Sequence, residues 1–267
     1  MCRICFDRII PAKYNPARAE TQKTAQDQFQ ATALAQTQQR GLSADALGTL
    51  HAGDPIVTAK MAVINQKKWS NNKTLQCRFL DGDPAWQGKV QEKAKIWEQF
   101  ANVKFNFIAD GDAEIRISFF ADAGSWSAIG TDALVESYFP KYQPTMNFGW
   151  LRGDTDDQEY QRVVVHEFGH ALGCIHEHQS PNETLNWDVQ AANRYFSGPP
   201  NYWSQADIDQ NVLQKYSPEG ISATPFDMDS IMLYQFAAEL FTDHKATPNN
   251  TQLSAKDKQM IASMYPK

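Results

Sequence analysis

Four of the six histidines in this chain lie between positions 166 and 178. His166 and His170 are four positions apart, so on a helix their imidazoles would project from one face. Gly173 permits a turn with positive φ that would end such a helix, and the returning chain would bring in His176. Three neutral imidazole nitrogens around an open coordination position are typical of a catalytic zinc site.

Glu167 directly follows the first of these histidines. A carboxylate at this position is suited to take a proton from a metal-activated water without binding the metal itself. A bare HExxH pattern is common by chance, but the complete spacing with a glycine and a third histidine is specific. The sequence therefore predicts one zinc ion per chain, held by His166, His170 and His176, with Glu167 as general base. His178 is predicted to support the site or lie at the surface.

The elements that must position these residues follow an α+β pattern. A helix is predicted over 158–172, and the acidic residues at 154–157 would stabilise its start. Strands are predicted at 74–80, 103–108, 114–120 and 145–151, and further helices at 87–100, 188–196, 205–213 and 253–265. The glycine- and serine-rich stretch 124–130 is predicted to be a loop. This order favours a mixed, twisted sheet with helices packed on one face.

The long histidine motif, together with Ser230–Tyr234 (SIMLY) downstream, resembles the metzincin zinc peptidases, in which HExxHxxGxxH is followed by a Met-turn. Glu177, after the third histidine, and Tyr234, two positions after Met232, are similar to the astacin family. The stretch 179–183 (QSPNE) departs from the Arg/Asp-rich sequence of typical astacins, which indicates an astacin-like, microbial-type branch. The resemblance covers about residues 70–267.

This resemblance implies a metzincin fold, with the sheet and the active-site helix in an N-terminal subdomain. A loop-rich C-terminal subdomain would carry the Met-turn and a terminal helix. In this family Met232 would form an apolar floor beneath the zinc ligands. Tyr234 would be a switchable fifth ligand that donates its hydroxyl to the oxyanion.

The implied function is a zinc-dependent endopeptidase whose polypeptide substrate binds extended along an edge strand, predicted near 145–151. Two other interpretations stay open: a zinc-binding protein of the same fold with weak or no catalysis, and a zinc amidase acting on a non-protein substrate. The presence of Glu167 favours an active enzyme, because loss of this base is the simplest way to abolish catalysis.

Residues 1–60 are predicted to form an Ala/Gln-rich helical extension and a candidate propeptide, with the catalytic domain at 61–267. In astacin-like zymogens an Asp of a short Gly-Asp motif blocks the zinc, and Asp54 resembles it, although a simple turn explains its position equally well. Cys2 and Cys5 offer thiolates as alternative zinc-blocking ligands. A third interpretation is that the segment confers no latency.

Composition narrows the class of protein further. The net charge of −6 argues against a nucleic-acid binder, and no apolar run approaches the roughly 18 residues that a membrane helix needs. Charged residues interrupt the first thirty positions, so no standard signal peptide is visible; the compartment stays open, and secretion by another route is favoured over a cytoplasmic location. Four cysteines in a chain of this length predict free thiols, and we expect a monomer.

Overall fold

The computed structural model describes residues 63–121, 124–199 and 201–267, together with the backbone of residues 5–8. All of them belong to one unit of the chain, Met1–Ile9 with Ala59–Lys267. The strands in chain order are β1 (Cys5–Arg8), β2 (Val63–Ile64), β3 (Lys73–Phe79), β4 (Val103–Phe107), β5 (Ile115–Ser118), β6 (Ser125–Ala128), β7 (Met146–Phe148) and β8 (Ile221–Ser222).

Six of these strands form one mixed sheet with the order β1-β6-β7-β5-β3-β4. The four strands β7, β5, β3 and β4 run parallel to one another. Strand β6 is antiparallel to β7, and β1 runs parallel to β6. Strands β2 and β8 form a separate antiparallel pair. This arrangement confirms the predicted α+β class with a mixed sheet.

The α-helices in chain order are α1 (Pro84–Ala94), α2 (Asp157–Ala171), α3 (Val189–Ser197), α4 (Gln205–Ile208) and α5 (Ala255–Met264). A π-helical turn, Asp209–Leu213, continues α4. At the start of α5, Ser254 and Asp257 form a reciprocal capping box, which explains why this helix begins close to the position predicted for it.

Helix α2 packs on the sheet through aromatic side chains. The Phe168 ring meets Phe105 edge-on, with centroids 4.8 Å apart, and lies 6.4 Å from Phe107. Phe168 is completely buried, and Phe105 is nearly so. The strand residues that alternate towards the helix therefore hold the histidine-bearing element against a rigid layer.

The predicted edge of the sheet is wrong. Residues 146–148 form β7, which lies between β5 and β6 and therefore has no open edge. The stretch predicted as a loop contains β6, and the backbone of residues 5–8 pairs with β6 as a further strand. All four residues of β6 (SWSA) are buried, so its short alternation of polar and apolar residues does not separate an exposed face from a buried one.

Several sequence predictions lie outside the described residues. Most of the extension, including Asp54 and Cys2, is among them, and for Cys5 only the backbone in β1 is described. Cys77 and Cys174 are buried free thiols, as predicted. Among the described residues, no helix has the length and apolar character needed to cross a membrane.

Candidate zinc centre and active site

Helix α2 begins and ends close to the predicted positions, because its signals are local. The Asp156 side chain accepts a hydrogen bond from the backbone N–H of Glu159 and caps the helix start. Gly173 has φ = +100°, the left-handed conformation that lets the chain leave the helix sharply. The turn places Cys174 and the following residues back towards the helix end that carries His170.

Side chains from distant parts of the chain hold this end of α2. The indole N–H of Trp69 donates to the Ala171 carbonyl at 2.7 Å, and the Tyr265 hydroxyl donates to the Leu172 carbonyl at 2.8 Å. Trp97 donates in the same way to Val165 at 2.9 Å. The carbonyls of a last helical turn lack intrahelical partners, so Trp69 and Tyr265 satisfy two of them, while Trp97 fixes the turn that carries His166.

The structure brings the three predicted ligands together in a buried cluster. Nε2 of His170 lies 3.1 Å from Nε2 of His166 and 3.1 Å from Nε2 of His176. Two imidazole nitrogens that bind one tetrahedral zinc at about 2.0–2.1 Å are separated by about 3.3 Å. Three nitrogen lone pairs directed at one point repel each other unless a cation lies between them. The donor set and its spacing therefore fit zinc.

The other ring nitrogens fix which atom faces the metal position. Nδ1 of His166 lies 2.8 Å from the Ile231 carbonyl, and Nδ1 of His170 lies 2.9 Å from the Cys174 carbonyl. A carbonyl oxygen only accepts, so each Nδ1 carries the proton and each Nε2 keeps its lone pair.

Burial also keeps His166 neutral. Removal from solvent, followed by the proximity of His170 and His176, holds the pKa of His166 well below its ordinary value. At neutral pH its imidazole is uncharged and can bind a metal ion.

Met232 lies directly against the ligand-bearing helix. A Cβ atom added to Gly169, the residue before His170, would stand 2.5 Å from the Met232 sulfur. Only a residue without a side chain at position 169 permits this close approach. Met232 is completely buried against the helix, and its role as an apolar floor stays a prediction.

Asp257 holds the Met-turn through hydrogen bonds, a role that was not predicted from the sequence. Its carboxylate accepts from the Ser230 hydroxyl at 2.7 Å and from the Ile231 N–H at 2.8 Å, while the Ile231 carbonyl faces His166. Burial raises the pKa of Asp257. The Ser-x-x-Asp spacing at 254–257 is the signal that could have drawn attention to this residue.

Two further aromatic residues pack on the histidines. The Tyr234 ring lies 4.1 Å from the His176 ring and 5.7 Å from the His166 ring, and its side chain is 5% exposed. His178 is buried, stacks 5.2 Å from His176 and contacts Tyr234 at 4.8 Å. Its Nε2 lies 3.1 Å from the Asn211 carbonyl. His178 is therefore buried against the cluster and does not lie at the surface.

Two carboxylates flank the ligands. Glu167 on α2 is 0% exposed. Glu177 is also buried, accepts a hydrogen bond from the Asp227 N–H at 2.9 Å and donates its own N–H to the Met232 carbonyl at 3.0 Å. Burial raises the pKa of Glu177 to about 8. Glu177 thus ties the loop of the third histidine to the Met-turn.

Comparison with known proteins agrees with this geometry. The model of the matrixin family of peptidases matches residues 68–193. The solved structure of myroilysin is 42% identical, with a TM-score of 0.75, and the match covers 77% of this chain and 98% of myroilysin. The histidine cluster, the sheet and this match agree, and the chain belongs to the metzincin family of zinc metallopeptidases.

More distant relatives are longer proteins. Zinc metalloproteinase nas-30 of Caenorhabditis elegans is 22% identical over 199 residues, which are 72% of this chain. Stromelysin-3 of Mus musculus is 25% identical over 173 residues, which are 52% of this chain. The chain spans 23% and 35% of the length of these two relatives, respectively.

Proposed function

We propose that this chain is a zinc-dependent endopeptidase with one zinc ion per chain. The observation that carries the proposal is the convergence of three Nε2 atoms, since those of His166 and His176 each lie 3.1 Å from that of His170. The helix that carries His166 and His170 also carries Glu167. Membership of a zinc metallopeptidase family supports a peptide bond as the target. A zinc ion held by His166, His170 and His176 would polarise the scissile carbonyl and acidify the attacking water.

The protein side chains then handle the protons and the developing charge. The Glu167 carboxylate takes a proton from the attacking water and passes it to the leaving nitrogen. The Tyr234 hydroxyl donates a hydrogen bond to the oxyanion that forms on the scissile carbonyl. The buried surroundings of both groups strengthen these interactions, because little water competes for them.

Strand β6 is the edge along which we propose that the substrate binds. It contacts helix α2. Among the described strands, only β1 lies beyond it on this side of the sheet. An extended peptide that adds to β6 would gain backbone hydrogen bonds beside the histidine cluster. This replaces the edge predicted near 145–151.

The first prediction tests the zinc chemistry directly. The purified full chain is expected to contain one equivalent of zinc by metal analysis, and its N-terminally shortened form is expected to cleave unfolded casein in a chelator-sensitive manner. Casein cleavage separates an endopeptidase from an inactive zinc-binding protein and from an amidase. A zinc content well below one after reconstitution would contradict the proposed site.

We further propose that residues 1–60 restrain the enzyme. The support is the position of β1, whose backbone pairs with β6 at Cys5↔Ser125, Phe6↔Trp126, Asp7↔Ser127 and Arg8↔Ala128. A substrate that adds to the same edge must displace β1. Strand β1 also contacts α2.

The second prediction is that deletion of residues 1–60 raises casein cleavage. The rise is roughly tenfold if pairing with β6 favours the state in which β1 covers the substrate edge by about 1.4 kcal/mol. Proline at position 6 or 7 of the full chain removes a backbone donor from β1, and one of the two replacements should reproduce part of the rise. A full chain as active as the shortened one would rule out the restraint.

The zinc-blocking group in this segment can be identified with the same assay. If Asp54 blocks the zinc, Asp54→Ala should be active without processing, while Cys2→Ala and Cys5→Ala stay latent. If a thiolate blocks it, a mercurial should activate the intact chain, because mercury binds sulfur and leaves a carboxylate in place. Equal activity of all these variants and the unmodified chain would leave the segment as a structural extension.

A further inference from the structure

The stretch 179–183, which departs from the astacin pattern, binds the segment 209–216 on the C-terminal side of the fold. The Gln179 side chain is 1% exposed, and its amide nitrogen donates to the carbonyls of Gln210 at 2.7 Å and Gln214 at 3.2 Å. The Glu183 carboxylate forms an ion pair with the Lys215 ammonium group, with Oε2 and Nζ 2.9 Å apart. The third-ligand loop therefore has a fixed partner some thirty residues away in sequence.

The orientation of the Gln179 amide follows from these contacts. Its nitrogen faces two carbonyl oxygens, which only accept, so the amide oxygen must point the other way. That oxygen lies 3.4 Å from Nδ1 of His176. An acceptor facing Nδ1 favours the tautomer that carries its proton on Nδ1 and leaves Nε2 free to bind a metal ion.

The segment 209–216 is held in place by several contacts, so its carbonyls have a fixed position beside Gln179. It contains the π-helical turn Asp209–Leu213, a geometry often found at functional sites. The Tyr216 N–H donates to the Gln179 carbonyl at 2.9 Å, and the Asn211 carbonyl faces His178. These bonds fix the two carbonyls that orient the Gln179 amide.

We propose that Gln179 is a positioning residue that sets the tautomer and ring orientation of His176, the third zinc ligand, against the fixed carbonyls of segment 209–216. This proposal rests on the proposed zinc site. His166 and His170 face backbone carbonyls at 2.8 and 2.9 Å, whereas His176 faces a side chain at a longer distance. The acceptor facing His176 is thus a side chain that a single replacement removes directly, whereas the backbone carbonyls facing the other two ligands remain in any variant.

Two replacements of Gln179 in the full chain separate positioning from plain packing. Gln179→Glu keeps an oxygen that can accept from His176, and its second oxygen can carry a proton and donate to the facing carbonyls, because burial favours the neutral carboxyl. Gln179→Leu removes the acceptor. Zinc affinity, measured by competition with a chromophoric chelator, is expected to fall by about 10- to 100-fold in the Leu variant and by no more than a few-fold in the Glu variant.

A second readout needs no metal. Imidazole nitrogen NMR of the metal-free chain is expected to show the proton of His176 on Nδ1 in the unmodified protein and in Gln179→Glu, and a tautomer mixture in Gln179→Leu. Lys215→Met is the matched control, since it removes the ion pair with Glu183 but no hydrogen bond of Gln179 or of a histidine, and it should retain both the tautomer and the zinc affinity.

Each contrary result has a distinct meaning. Equal loss of zinc in the Glu and Leu variants, or loss in Lys215→Met as large as in Gln179→Leu, would show that docking of the segment is what matters and would overturn the proposal. An unchanged His176 tautomer in Gln179→Leu would overturn it as well. An unmodified chain with the expected tautomer but no affinity for zinc would instead contradict the proposed function and leave the role of Gln179 standing.

Discussion

Replacement of Glu167 by alanine is expected to leave zinc bound and to lower kcat/KM for a peptide substrate by about 10²- to 10⁴-fold, the usual contribution of a general base. Glu167 is completely buried on α2, next to His166. The three ligands and the carbonyls that face their Nδ1 atoms are unchanged in this variant. The loss should therefore appear in the chemical step, while the metal content stays at one equivalent.

Glu159→Gln is the matched control for this replacement. Glu159 lies on the same helix, but its carboxylate pairs with Arg162 at 2.7 Å. Its removal should change kcat/KM by no more than a few-fold. A Glu167→Ala variant that cleaves peptides nearly as fast as the unmodified chain would show that another group takes the proton. Loss of zinc from Glu167→Ala would instead show that Glu167 helps to bind the metal ion.

The metal-binding helix could be predicted from sequence because each of its determinants is local. The four-residue spacing of His166 and His170, the acidic start and the glycine at position 173 all act within one or two turns. The helix was predicted over 158–172 and is found at Asp157–Ala171. Tertiary contacts reinforce these signals here and do not oppose them.

The order of the strands could not be predicted in the same way. Strand β7 is buried at all three of its residues and β6 at all four, although their sequences (MNF and SWSA) alternate, so this short alternation does not distinguish an edge from an interior strand. Which strand lies outermost depends on pairings between residues some twenty positions apart, such as Ser127 with Met146. The stretch 124–130 (GSWSAIG) begins and ends with glycine and contains two serines, residue types that are common in loops, which explains its wrong assignment.

The residues that support the ligands could not be assigned that role from the sequence. Asp257 reaches the Met-turn across 26 residues, and Gln179 reaches Gln210 across 31. Each is a polar residue of ordinary type, and only the folded chain gives it a partner. The sequence thus predicts the donor atoms of the site, whereas the groups that fix their tautomers become evident only in three dimensions.

Tyr234→Phe is expected to lower kcat on the order of 10²-fold and to leave KM within a few-fold of its original value. The removed hydroxyl is proposed to bond the oxyanion, which carries its charge in the transition state and not in the bound substrate. The phenyl ring can keep the packing that Tyr234 makes against His176 at 4.1 Å and His178 at 4.8 Å. The loss is therefore specific to the hydroxyl.

Tyr160→Phe supplies the control, because Tyr160 is a fully buried tyrosine in the first half of α2, where burial raises its pKa to about 12. Its hydroxyl has no proposed role in the reaction, so kcat should change little. Steady-state kinetics on one peptide, with the zinc content of each variant measured in parallel, decides the matter. An unchanged kcat in Tyr234→Phe would make Tyr234 a packing residue, whereas a rise in KM alone would place its hydroxyl on the ground-state substrate.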